Sequence, residues 1–274
     1  METSYSYYRV EKEDHIAWVY LDRPKKRNAM GPAAWTEIIP IFDEIDNDPD
    51  ILVCIIAGEG KDFCAGIDIM GMADMIPTMK SWDMGAKATV ELFKDIKPLQ
   101  DSMSCVEKCR KPVICAIHGR CIGAGLDLAS ACDIRLATKD ATISLRETAV
   151  AFVCDVGSLQ RMPYIVGQGI TREMAYTAEF MDAERAKEVN LVNKIYEDRD
   201  SLLKGAREMA FKIAANAPLA VQASKEVLNY CRGKGVADGL EYVAARSSMI
   251  LPSEDISETI KAMMGKRQAS FTGN

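Results

Sequence analysis

Along the chain, short apolar runs alternate with longer stretches in which apolar residues recur every three or four positions. Residues 8–11 and 16–21 are rich in strand-forming side chains and flank a Glu-Lys-Glu-Asp segment, so a hairpin is expected, followed by the basic loop Arg23-Pro-Lys-Lys-Arg-Asn. Over 32–47, Trp35, Ile38, Ile39, Phe42 and Ile45 fall at helical spacings behind a proline at the first position, which predicts a helix with Pro40 as its weak point. The runs at 51–57 and 113–117 are almost wholly apolar and of strand length, which suits a sheet covered on both faces. Between them, 68–110 reads as Met-rich helix with breaks near Pro77 and Pro98. A helix over 124–132, a strand over 134–138 and a short extended piece at 142–144 come next. From about residue 199 the pattern is helical, in segments near 199–216, 218–233, 236–250 and 254–265. The recurring order of strand, loop, helix and strand predicts α/β architecture with ligands at loops leaving strand ends. The expected organisation is a main unit over 1–198 and a helical tail over 199–274, packed on its own core or on a neighbouring subunit.

Composition narrows the function classes. With 274 residues and 48% hydrophobic content, the chain can bury a large core. A net charge of −6 argues against general nucleic-acid binding, which needs a basic face to displace counterions. The N-terminal stretch lacks the features of a signal or transit peptide, and the C-terminal Thr-Gly-Asn is not a peroxisomal address. No apolar run reaches the roughly 18–20 residues a bilayer span needs. A soluble cytoplasmic protein without a membrane partner is therefore expected. The nine cysteines contain no C-x-x-C pair and read as free core thiols of a reducing compartment. His15 and His118 are the two histidines, which leaves no basis for a histidine-rich metal site; His118 reads as a loop support. Dinucleotide, P-loop and G-x-S-x-G signatures are absent.

Two loops, at 58–68 and 118–127, each leave an apolar strand, contain small residues and enter a helix-like segment. Small residues let backbone N–H groups approach a ligand, and N–H groups at a helix start are unpaired and attract anions. Two readings stand for Ala65 and Ala124: ordinary tight turns, or paired donors to a developing oxyanion. Asp127 lies one turn into the second helix, as a dipole-complementing carboxylate or as a functional acid. Glu147 and Asp155 flank the apolar stretch 149–154; each is either a solvated loop acid or one whose pKa burial raises into a range useful for proton exchange.

The chain resembles the crotonase (enoyl-CoA hydratase/isomerase) superfamily in Leu21-Asp-Arg-Pro-Lys-Lys-Arg-Asn-Ala-Met, Phe63-Cys-Ala-Gly-Ile-Asp, Lys111-Pro-Val-Ile-Cys-Ala-Ile-His-Gly, Ile122-Gly-Ala-Gly-Leu-Asp-Leu-Ala-Ser-Ala-Cys-Asp-Ile-Arg and Leu159-Gln-Arg-Met-Pro. The resemblance implies a crotonase-like spiral of β-β-α turns with a C-terminal helical region, assembled as a homotrimer or a hexamer of two trimers. It implies an acyl-CoA thioester substrate and no separate cofactor. It places the oxyanion donors at Ala65 and Ala124, and coenzyme A contacts at Lys25, Lys26, Arg27, Ala65, Gly66, Ile67, Asp68, Ala124 and Lys266. Lys266 is equally a C-terminal cation favoured by its helix dipole. The hydratase branch carries two glutamates and a glycine where this chain has Asp127, Glu147 and Asp155. This set, at spacings of 20 and 8, instead resembles dienoyl-CoA isomerases, which convert 3,5-dienoyl to 2,4-dienoyl thioesters. Moving a proton from C2 to C6 needs two separated acids, and Glu147 at C2 with Asp155 at C6 is the expected assignment, the reverse remaining open, with Asp127 orienting a water or tuning its neighbours. The alternatives are an enoyl-CoA hydratase, a hydratase or hydrolase on an alicyclic acyl-CoA, and an RNA-binding relative. The acidic composition of 35–48 disfavours the last.

Overall fold

Two sheets carry the architecture, and the chain passes repeatedly from one to the other. The structure, a computed structural model, describes residues 5–75 and 85–274, so the expected break at Pro77 lies outside the described residues. Strands β1 (Tyr8–Glu13) and β2 (Ile16–Leu21) form the predicted hairpin around Asp14 and His15. Beyond β2 the large sheet continues in parallel through β3 (Val53–Gly58), β4 (Val113–Ile117), β6 (Ile134–Thr138) and β9 (Lys194–Tyr196). A small sheet joins β5 (Arg120–Ile122), β7 (Thr142–Ser144) and β8 (Met181–Asp182) in that order. Strands β4 and β5, then β6 and β7, each step from the large sheet to the small one, which gives the expected spiral of β-β-α turns.

Unbroken apolar runs are needed in β3 and β4 because both faces are covered. Cys54, Ile56, Cys115 and Ile117 face a core completed by α1 (Pro32–Asn47), α3 (Ala86–Lys108) and α4 (Ala124–Ala131). The alternating residues Val53, Ile55, Ile114 and Ala116 face α8 (Arg199–Ala214), which supplies Leu202, Ala206 and Ala210. Neither internal proline interrupts its helix. Pro40 and Pro98 both lie on exposed faces, where the carbonyl that loses its partner is open to solvation, while buried neighbours such as Ile41 and Leu99 hold the helix in place. The break expected at Pro98 is therefore absent.

Short α2 (Ile69–Met75) follows the first loop, and α5 (Ser158–Ile165), α6 (Gly167–Thr177) and α7 (Ala183–Glu188) precede β9. The tail helices are α9 (Pro218–Tyr230), α10 (Val236–Ile250) and α11 (Glu254–Gly265). The tail is tied to the core at buried Lys225, whose Nζ lies 2.7 Å from Asp133 and donates to the Lys111 carbonyl at 3.0 Å. Helix α8, just past residue 198, packs directly on the large sheet. Among the described residues no helix is long and apolar enough to cross a membrane.

A seam joins the two glycine-containing loops. The Cys64 N–H donates to the Arg120 carbonyl at 2.9 Å, and the Ile122 N–H donates to the Cys64 carbonyl at 3.0 Å. The first turn of α4 presses onto this seam so closely that a Cβ on Gly125 would sit 2.7 Å from the Cys64 Cβ. Gly125→Ala is accordingly expected to cost about 1–3 kcal/mol through overpacking. Gly169→Ala, in helix α6 with nothing within 4 Å of the added methyl, should gain about 0.5–1 kcal/mol. Urea unfolding of the two variants beside the parent checks both signs.

Candidate active site

Helix α4 starts on Gly123, whose φ of 51° and ψ of −116° suit glycine, and whose added Cβ would come within 3.0 Å of Glu147 Oε1. The Gly123 carbonyl accepts the N–H groups of Leu126 at 2.7 Å and Asp127 at 2.9 Å, closing the first turn. The Ala124 N–H is left as an orphan of the helix start, without a protein acceptor among the described residues. Ala124 lines a cavity of about 170 Å³. That is below the roughly 300–1,000 Å³ of whole-ligand sites, so it suits the acyl end of a larger molecule.

The donor expected at Ala65 is not available, because its N–H is bonded to the Arg27 carbonyl at 3.0 Å. The next N–H, of Gly66, lies 3.4 Å from Cys64 Sγ. Ile67 forms a parallel bridge with Met30, in which the Met30 N–H donates to the Gly66 carbonyl and the Asp68 N–H donates to the Met30 carbonyl, both at 2.8 Å. This pattern turns the Ile67 N–H away from Met30. Among the described residues it has no protein acceptor, and Ile67 lines the cavity. The first loop thus supplies its unspent donor from Ile67, two residues beyond the expected one.

All three predicted acids line the same cavity. Asp127 is 1% exposed, and its Oδ1 accepts both the Ser158 N–H, at 2.8 Å, and the Ser158 hydroxyl. Burial pushes its pKa up to about 7; the Ser158 hydrogen bonds oppose that rise, and the charges of Glu147 and Asp155 add to it. Glu147 opens a single 3-10 turn, and its buried Oε2 has no protein partner among the described residues. Beside it the Cys154 thiol is held protonated, first by burial and then by the Glu147 charge. Asp155 is open on one side and desolvated on the other, and burial raises its pKa. Its backbone carbonyl accepts the Gln100 side-chain amide at 2.7 Å.

The other predicted contacts divide. Ala65, Gly66, Ile67 and Ala124 line the cavity, whereas Lys25, Lys26, Arg27, Asp68 and Lys266 do not. Asp68 is committed to Arg23, 2.7 Å away, which holds its carboxyl below the usual range. Lys25 and Lys26 stand exposed on a 3-10 turn ending at Arg27, and Lys266 is the exposed, left-handed cap of α11. His118 lies 3.0 Å from the Gly60 carbonyl, as a loop support. Among the described residues no group of three or more His, Cys, Asp or Glu side chains could hold a metal ion. Sequence reasoning missed Ser158 and the apolar wall of Trp35, Leu99 and Val156, since no local spacing marks a contact between Asp127 and a residue 31 positions away.

Comparison with known proteins gives a match to the family described as Enoyl-CoA hydratase/isomerase over residues 11–274. The chain is 42% identical to the mitochondrial Delta(3,5)-Delta(2,4)-dienoyl-CoA isomerase of Dictyostelium discoideum, covering 99% of this chain and 93% of that protein. It is 37% identical to the peroxisomal Delta(3,5)-Delta(2,4)-dienoyl-CoA isomerase of Arabidopsis thaliana, covering 96% and 95%. The crystal structure of an enoyl-CoA hydratase from Bacillus anthracis superposes with a TM-score of 0.87 at 30% identity, covering 98% of this chain and all of that one.

Because the folded state favours the protonated form of Asp127, this carboxyl costs stability as pH rises from its unfolded value of 3.8 towards about 7. Asp127→Asn should therefore stabilise the fold at pH 8, by on the order of 1–3 kcal/mol, and change little at pH 4. Thermal unfolding of both proteins at the two pH values tests the sign, and an equal effect at both would refute it.

Proposed function

The chain belongs to the enoyl-CoA hydratase/isomerase family, and from that premise we propose that it is an acyl-CoA isomerase converting 3,5-dienoyl-CoA to 2,4-dienoyl-CoA. The observation that carries this reading is a third acid, Asp155, in the cavity that already holds Glu147 and Asp127. The names of relatives at about 40% identity over most of the chain support it.

In the proposed reaction the thioester oxygen sits between the Ile67 and Ala124 N–H groups. Glu147 removes a proton from C2, and that electron pair becomes the C1–C2 double bond as the carbonyl pair moves onto oxygen. When the carbonyl re-forms, the C1–C2 pair moves to C2–C3, the C3–C4 pair moves to C4–C5, and the C5–C6 pair takes a proton from Asp155 at C6. The charge of the intermediate dienolate rests on the oxygen, where two fixed N–H dipoles stabilise it without reorganising. Asp127 serves as a buried regulator of its neighbours' charge. The exposed cations Lys25, Lys26 and Arg27 are proposed for the coenzyme phosphates, since the Arg27 carbonyl holds the Ala65 N–H and thereby ties their loop to the cavity rim. Exposed apolar side chains on the tail helices, including Val236, Leu240, Met249 and Met263, support self-association into a trimer or a pair of trimers.

Incubation with 3,5-dienoyl-CoA should increase the absorbance of the conjugated dienoyl thioester. Loss of 2-enoyl absorbance with no dienoyl gain would favour hydration by Asp127 and Glu147 instead. Asp155→Asn should lower the isomerisation kcat about 10²–10⁴-fold, the usual contribution of a positioned acid. A wild-type rate in that variant would sink the two-acid mechanism.

A further inference from the structure

Asp155 stands in a wall between two openings. One is the acyl cavity; the other is a groove of about 1070 Å³ bordered by α3, α5 and α9. Of the three acids Asp155 alone borders both, whereas Glu147 and Asp127 border only the cavity. The groove side of this wall is lined by one stripe of α3, where Gln100, Ser104 and Glu107 follow at spacings of four and three and so share a face. Gln100 holds the Asp155 carbonyl. Buried Arg161 donates to Glu107 and Ser104, each at 3.1 Å, and to the Val156 carbonyl at 3.3 Å. Its guanidinium occupies the space that a side chain at Gly157 would need. On the inner side, Ser158 is fastened to Asp127. Asp155 is thus fixed at the partition by its neighbours, while no cation among the described residues pairs with its carboxylate.

We propose that this groove is the route by which Asp155 exchanges protons with water, and that the enzyme therefore exchanges C6 hydrogen of 2,4-dienoyl thioesters with solvent as a separate activity. The inference rests on the isomerase reading. Each forward turnover leaves Asp155 ionised and Glu147 protonated. Water in the groove gives Asp155 its proton back, the resulting hydroxide being neutralised by buffer, while Glu147 loses its own proton only when the acyl cavity empties. In the reverse direction Asp155 takes a proton from C6 to form the dienolate. It trades that proton through the groove and returns a solvent hydrogen to the same carbon. One C6–H bond breaks, one forms, and no double bond has moved.

The test uses the whole chain in D₂O, with each isomer supplied separately and the unreacted thioester recovered at low conversion for mass and NMR analysis. Deuterium at C6 of recovered 2,4-dienoyl-CoA should accumulate at least several-fold faster, per conversion event, than deuterium at C2 of recovered 3,5-dienoyl-CoA. Equal rates, or faster exchange at C2, would overturn the proposal. So would the appearance at C6, in H₂O, of deuterium supplied at C2, because that requires a closed relay between the acids. Absence of conversion with either isomer would remove the isomerase reading and this inference together, whereas conversion without C6 label removes this inference alone.

Discussion

The seam at Cys64 is the contact on which the rest of the site depends. Its paired backbone bonds to Arg120 and Ile122 fix two loops that are far apart in sequence, and the Gly125 contact brings the start of α4 down onto them. An N–H at a helix start is an anion donor on any helix; what is particular here is that a second unspent N–H is held nearby by the Met30 bridge. Ala124 opens a fully buried helix and Ile67 is bridged to buried Met30, so core packing enforces the placement of both donors. Such preorganisation makes electrostatic stabilisation effective, since no dipole has to turn as charge develops.

Three carboxyl groups around one small cavity would repel one another if all were ionised. The structure relieves this by giving each a different environment. Asp127 is enclosed and leans towards its protonated form, moderated by Ser158. Asp155 has an open side. Glu147 lines the same cavity and retains a buried oxygen with no protein partner among the described residues. Separating the ionisation of neighbouring acids by environment lets one act as base while another acts as acid.

Much of the frame was legible from pattern. The apolar runs at 16–21, 51–57 and 113–117 became strands because both faces are buried, and the spaced apolar residues of 32–47 became a helix. Pro98 misled because the sequence does not say whether a proline will face water or a neighbour. Strands β8 and β9 and helix α7 carry too few residues to show a period, and their form is set by what they pack against. The acids were identifiable as residues, but their roles come from enclosure. The first-loop donor shows the limit most clearly: the small-residue loop around Ala65 was visible, yet which of its N–H groups stays free depends on Arg27 and Met30, partners more than thirty positions away.

A frame of this kind separates two demands. In the proposed reaction the carbonyl end of the thioester meets two backbone donors, and that part of the site is fixed by the Met30 bridge and a helix start. The far end of the acyl group differs between reactions, and there the wall comes from the irregular segment carrying Cys154, Asp155 and Val156. Cys154 and Val156 are held in the core, but exposed Asp155 between them can change at little cost to it, because the backbone bonds of this segment run to side chains such as Gln100 and Arg161 and not to a sheet ladder. In the proposed mechanism, the carboxyl of Asp155 there adds, to a cavity able to remove a proton next to the thioester, the means to deliver a proton four carbons away. On that mechanism the least regular part of the structure decides the reaction, and the rigid part holds the donors that stabilise its charge.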